Sequence, residues 1–480
     1  MRTVRFTLTL LAAVATSLAG CATQQAGTGL PERAGATVPA QWQQQAAGTA
    51  ALAGTLALDE AWWTAFNDAQ LDALVQRVLA ENLSLSAAAL KVRQARLRAD
   101  LADADRWPTV AASLSAQGAR PLEGGSTTRS SSATLSATWE LDFWGRVSAL
   151  RDVQVWEAKA TEDDRRALAL SLVGTTARLY WQMAYLDQRV QSAQQSLDYA
   201  RKTQTLVAAQ YKAGSVGGLE QAQAQQAVSA QEAVLAALVQ TREETRQALA
   251  LLLDGPTQSA SLPAQYTWPA TPWPVVRAGV PAEVLARRPD LRAAEYRMRE
   301  AHAGVTATRT AYYPRLTLTG AVGGSSQDLK DVLRDPVGTL AGSLLLPFVQ
   351  FREMARNTAI AQADADATVL GFRQTLYQAL SDVDKGLSAQ VQAERQTQAL
   401  QTRLEQVLKV ERLTEARYRA GAEPLKAWLD AQEARRTAEL ALADARYSQL
   451  SSYVGLVQAL GGHVPLADVP AEGPVAQARP

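Results

Sequence analysis

One unit is written twice in this chain, at an offset of 206 to 207 residues, and no other feature limits its folds as much. Leu85, Ala88, Gln94-Ala95 and Pro108 are matched by Leu291, Ala294, Glu300-Ala301 and Pro314. Further on, Tyr211-Lys-Ala-Gly214 with Ala224-Gln225 is matched by Tyr418-Arg-Ala-Gly421 with Ala431-Gln432. Each unit reads helix, two strands, long helix, break, helix.

The long helices set the scale. No proline falls between Val147 and Tyr211, where Gly174 is the only glycine, and none between Phe351 and Ala420. At about 1.5 Å per residue each makes roughly 100 Å of helix. Leu179, Met183, Leu186, Val190, Ala193, Leu197, Ala200, Val207 and Tyr211 step by fours and threes, with Gln204 the exception, a pattern that supercoils against neighbouring helices. "AGSVGG" and "AGAEP" then interrupt the helices, and Gly214 and Gly421 supply the positive φ that ends one.

The strands have two unlike faces. In "SATLSATWELDFW", Ala133, Leu135, Ala137, Trp139, Leu141 and Phe143 alternate with Thr134, Ser136, Thr138, Glu140 and Asp142. Four strands cannot close a transmembrane barrel, and an open half-apolar sheet invites aggregation, so several chains must share one barrel. Trp107, Phe143, Trp144, Tyr312 and Tyr313 all lie at the helix-joined end of the sheet. There they suit an interfacial girdle, or equally a hydrophobic plug between sheet and helices.

Composition removes other classes. Charge is balanced, 48 basic against 47 acidic residues, so no basic footprint for nucleic acid is present. Two histidines and one cysteine leave no metal cluster or disulfide set. No phosphate-cradling glycine loop, His-Glu-x-x-His or Gly-x-Ser-x-Gly occurs, so neither an enzyme nor a cofactor is expected. No apolar run after the first 20 residues is long enough for a transmembrane helix.

The start is a basic "MRTVRF", a short apolar run and then Cys21, the only cysteine. Leu18-Ala19-Gly20-Cys21 resembles the bacterial lipobox, which implies cleavage before Cys21 and a covalent lipid upon it. Each buried methylene of such a chain adds about 0.8 kcal/mol of anchoring. By the same resemblance, Ala22 after the cysteine implies sorting to the outer membrane of a Gram-negative cell.

Together, "RRPDLRAAEYRMREAHAGVTATRTAYYPRLTLTG", "WELDFWGR", the paired Tyr-x-Ala-Gly breaks and the lipobox resemble the TolC-like outer-membrane efflux channels, in their NodT/OprM-like lipoprotein branch. The resemblance runs from about Trp62 to Gly462. It implies an α+β membrane protein and a homotrimer. Three chains would supply a twelve-stranded β-barrel continuous with an α-helical periplasmic barrel. The tips, Gly214, Ser215, Val216 and Gly217 with Gly421, Ala422 and Glu423, would meet a periplasmic adaptor that couples to an inner-membrane pump. Asp430, nine residues after the second glycine, would line the constricted opening and attract cations, with Tyr418 helping to hold the inner hairpin closed and Glu423 at the gate where some members carry an arginine. Gln223 stands at the matching place of the first repeat, and Ala427 stands where some members carry a second aspartate.

The expected organisation is a signal over 1–20, a lipidated extended segment over 21–66, a first repeat over 67–256, a linker over 257–281, a second repeat over 282–462 and a tail over 463–480. Strands are expected at 107–118, 130–144, 314–323 and 338–349. A first helix is expected over 68–106, and the others over 147–212, 219–254, 351–420 and 425–460. The function these features imply is a passive duct for drugs, toxic organics or metal ions. Two other readings stay open: a coiled-coil lipoprotein scaffold, and an exit duct for secreted proteins.

Overall fold

The computed structural model describes residues 38–42, 61–124, 126–255, 261–269, 273, 276, 281 and 286–469. Cys21 and the signal lie outside them.

Helices α1 (Ala69–Glu81) and α2 (Leu83–Ala104) lead to strands β1 (Thr109–Ala119) and β2 (Thr128–Leu141). Then come α3 (Arg146–Lys212) and α4 (Gly218–Ala250). The second repeat gives α5 (Pro289–Thr310), β3 (Arg315–Ser326), β4 (Val337–Leu345), α6 (Phe351–Arg419) and α7 (Leu425–Ala459). Near the sheet, α2 packs on α3, α3 on α5, and α5 on α6; towards the tips, α4 packs on α3, α3 on α7, and α7 on α6. Two helices thus run unbroken, and the shorter ones flank them at both levels.

Several bounds differ from the sequence reading. The helix expected over 68–106 is divided at Asn82, whose amide closes α1 on Val78 while its side chain accepts from Leu85 N at 3.0 Å to open α2. Pro108 has no N–H to give, so β1 starts at Thr109 rather than at Trp107. Asp142 ends β2 early because its carboxylate caps α3, accepting from Val147 N and Ser148 N at 3.0 and 2.8 Å. Pro347 lies past β4 and opens a short 3-10 turn, Pro347–Gln350. The segment before residue 67 is not extended to its end: Trp62–Phe66 is a 3-10 turn, with Trp62 only 1 % exposed.

That turn seeds an aromatic belt halfway down the helices. Phe66 meets Trp181 and Tyr453 edge-on at 4.9 and 5.6 Å. From the linker, Tyr266 packs on Tyr180 and Trp268 on Tyr185, so this segment lies against α3. At the same level Gly174 explains itself. A Cβ there would lie 2.0 Å from Gln458 Nε2. The Gln458 side chain crosses α3 at that point, donating to Leu170 O at 3.1 Å and accepting from Arg178 at 2.7 Å.

The Arg-Pro-Asp-Leu stretch ties the helices of the second repeat together, and Arg292 just after it reaches the first. Pro289 sits in the first turn of α5, where its missing N–H costs nothing. Arg288 pairs with Asp290 at 2.6 Å and Asp382 of α6 at 3.6 Å, and donates to Ala459 O of α7. Arg292 and Arg166 hold Asp163, 1 % exposed, at 2.9 and 2.8 Å. Burial still pushes that carboxyl above its ordinary range against the pull of both guanidiniums. Past α7, Arg165 and Arg96 take the carbonyls of Ala467 and Val469 at 2.6 and 2.7 Å, strapping the chain back across α2 and α3.

Candidate functional site: sheet faces and hairpin tips

The sheet is antiparallel in the order β1-β2-β3-β4, and the register makes its two faces chemically unlike. Val110, Ala137, Gly320 and Leu340 form one row across the four strands, and Ala112, Leu135, Val322 and Gly338 form the next. The opposite face carries Thr109, Thr138 and Thr319, then Ser115, Ser132 and Ser325, and then Glu140, Thr317 and Ser343. Val110, Leu135, Val322 and Leu340 are exposed in the single chain, so the apolar face is made to be covered by something other than this chain. Both edges, β1 and β4, are open.

The aromatics at the inner end of the sheet fall into two groups. Trp107 and Phe143 are exposed. Trp144 instead packs edge-on against Tyr313 at 5.5 Å and donates to Pro314 O at 2.9 Å. Tyr312 donates to Glu353 at 3.2 Å and accepts from Asn357 at 2.6 Å. The first pair suits a girdle and the second group a plug. Trp139, read from the sequence only as a strand residue, joins this end by donating to Arg106 O at 2.9 Å.

At the other end the two breaks are built alike. Gly214 and Gly421 take φ of 74° and 73°. Gly214 N bonds Tyr211 O at 3.0 Å and Ser215 N bonds Gln210 O at 2.9 Å; Gly421 N and Ala422 N repeat this on Tyr418 O and Arg417 O, both at 2.9 Å. Both are the six-to-one and five-to-two closures of a helix C-terminus. Open space surrounds each glycine where a Cβ would go, so conformation and not crowding calls for it. The chain restarts differently: Gly217 N donates to Glu220 at 2.9 Å, whereas Pro424 precedes α7 with φ already at −72°. Ser215, Gly217 and Ala422 are exposed, and Val216 and Glu423 are half-buried.

Just behind the tips an apolar cluster joins the hairpins. Trp428, 3 % exposed, packs with Val207, Ala224 and Leu425. Tyr418 stacks on it at 5.0 Å, and Tyr199 of α3 meets it edge-on at 5.8 Å. Tyr418 OH donates to Gln210 of the first hairpin at 3.0 Å. The charges stay within the second hairpin: Lys426 with Asp430 at 2.7 Å, Arg419 with Glu415 at 2.7 Å and Arg417 with Glu423 at 3.5 Å. Tyr418, Glu423 and Asp430 therefore share one tip without bonding one another. Sequence reading passed over Trp428, Gln210 and Lys426. Trp428 and Lys426 had a signal, since both lie within one turn of Asp430. Gln210 had none.

Among the described residues no helix is long and apolar enough to cross a membrane, which leaves a barrel possible. No group of His, Cys, Asp or Glu among them is placed to hold a metal ion.

A family profile described as "Outer membrane efflux protein" matches residues 74–255 and 280–462, one match per repeat. The pyoverdine export outer membrane protein OpmQ of Pseudomonas putida is 35 % identical over 93 % of this chain and 95 % of its own length. The cation efflux system protein CusC of Escherichia coli is 28 % identical, covering 84 % of this chain and 88 % of that one. Among solved structures, the outer-membrane channel OprN superposes with a TM-score of 0.80 at 25 % identity, over 88 % of this chain and 97 % of that one.

Proposed function

The chain belongs to the outer membrane efflux protein family, and from that premise we propose a passive exit duct whose tips dock a periplasmic adaptor and whose aperture is ringed by Asp430. It is the outer-membrane channel of a tripartite efflux pump and not an enzyme. It extends into the periplasm, and its family forms trimeric channels within such systems. Cys21 carries the lipid anchor in this reading.

The observation that carries the proposal is the sheet. It has one hydroxyl-rich face, one apolar face and two open edges, and it is fused to helices about 100 Å long. Three such sheets edge to edge make a closed barrel of twelve strands, apolar outside and hydrated within. Four helices abreast at each level make twelve around the same axis. At about 10 Å spacing their axes trace a ring roughly 38 Å across, too wide for side chains to fill. Such a lumen selects weakly, so cargo is chosen by the pump. Relatives named for pyoverdine export and cation efflux support small solutes as that cargo.

Single-channel recording of the purified trimer in a planar bilayer tests this. Discrete openings are expected, with conductance or ion selectivity altered by Asp430→Ala. Openings unchanged by that substitution return Asp430 to an ordinary helix surface. Mass spectrometry of the mature chain is expected to show a diacylglyceryl group on Cys21.

A further inference from the structure

We propose that Lys426 cancels the charge of Asp430 at the periplasmic aperture, making the resting opening nearly indifferent to the sign of a small ion. The inference rests on the reading of Asp430 as an aperture residue. A bare ring of three aspartates would concentrate cations and repel anions.

The geometry changes that expectation. Lys426 lies one helical turn before Asp430 on α7, and residues four apart share a helix face. Its Nζ donates to both carboxylate oxygens, at 3.0 and 2.7 Å. The two side chains are 66 % and 63 % exposed, so both face the same water. Among the described residues neither makes another ion pair, and the neighbouring charges of this tip are matched separately: Arg419 by Glu415 and Arg417 by Glu423. Residues 415–430 thus carry three cations and three anions, each paired within the hairpin.

Compensation does not need a strong bond. An exposed pair of this kind adds little stability, and the ammonium will leave the carboxylate at times. Even detached, it swings from a stem rooted only about one helical turn, roughly 6 Å, from that of Asp430. That is less than the screening length of about 8 Å at physiological salt, so a passing ion meets the two charges together. Wherever Asp430 lines the opening, Lys426 lines it too. In a trimer the rim carries three lysines beside three aspartates.

Reversal potentials under a potassium chloride gradient separate the possibilities, using the full-length trimer as wild type, Lys426→Gln, Asp430→Asn and the double variant. The wild type is expected near unit cation-to-anion permeability. Lys426→Gln should favour cations by at least about 3-fold, Asp430→Asn should favour anions by a similar factor, and the double variant should return close to wild type. A loss of helix stability alone would not reverse sign in this way. Selectivity that moves with Asp430→Asn but not with Lys426→Gln overturns the role of Lys426 and leaves the aperture reading standing. Conducting trimers indifferent to both substitutions overturn the aperture reading itself.

Discussion

Gly174 and Gln458 form a close inter-repeat contact, and its logic is steric. Alanine at 174 must drive the Gln458 amide away from Leu170 O and from Arg178, breaking two hydrogen bonds in a half-buried site. Gly174→Ala is expected to destabilise by about 1–3 kcal/mol, read as a lower melting temperature. Adding Gln458→Ala should recover part of that loss, since with the Gln458 side chain gone the added methyl has nothing to displace. A second residue-scale expectation concerns Glu300 of α5. Burial, and then the nearby Glu157 of α3, push its pKa up to about 7 against the opposing pull of Arg297. A carboxyl raised in the folded state stabilises below its ordinary pKa of about 4.5 and loses that contribution as pH rises through 7. Glu300→Gln is therefore expected to raise the melting temperature at pH 8 and leave it little changed at pH 5. Solvent screening of this half-exposed group holds the gain to about 1 kcal/mol. Neither feature shows in sequence: a lone glycine in 67 helical residues looks like a blemish, and the Glu157 and Glu300 codons lie far apart.

The helical hairpins were largely legible, because their signals are local. Proline-free stretches, glycine at each break and Pro424 before α7 are read within a few residues of where they act. Asn82 was missed because it caps one helix while starting the next, leaving no gap in the helical composition. The tip cluster was only half legible: Tyr418 and Asp430 came from resemblance, but the ring partner Tyr199 and the hydrogen-bond partner Gln210 lie on another helix, about 200 residues away in sequence. Trp428 is the element-scale test, since it is the body against which Tyr418 and Tyr199 pack. Trp428→Ala is expected to loosen the second hairpin from the first and raise open probability severalfold in bilayer recordings, while Trp428→Phe keeps most of the stack and recordings near wild type. Equal behaviour of the two variants would remove Trp428 from the closure of the tip.

At the scale of the whole molecule, the alternation of strand residues was enough to require shared closure, yet the pairing of β2 with β3 across the repeats came only from the structure. The two faces make opposite demands. Leu340→Arg on the apolar face of β4 is expected to cost about 2–4 kcal/mol near the bilayer midplane and to deplete trimers from outer-membrane fractions. Thr339→Arg, its neighbour on the hydroxyl face, should still assemble and instead alter conductance. The helices carry a mechanical consequence of their own. Because α3 runs unbroken from the aromatic belt to Lys212, the part beyond Gly174 is a rod about 57 Å long. A turn of only about 10° where the belt holds it would swing its free end by roughly 10 Å. A partner gripping the tip thus works at the long arm of a lever, where small forces do the moving, and the aromatic belt must be stiff because it bears the load.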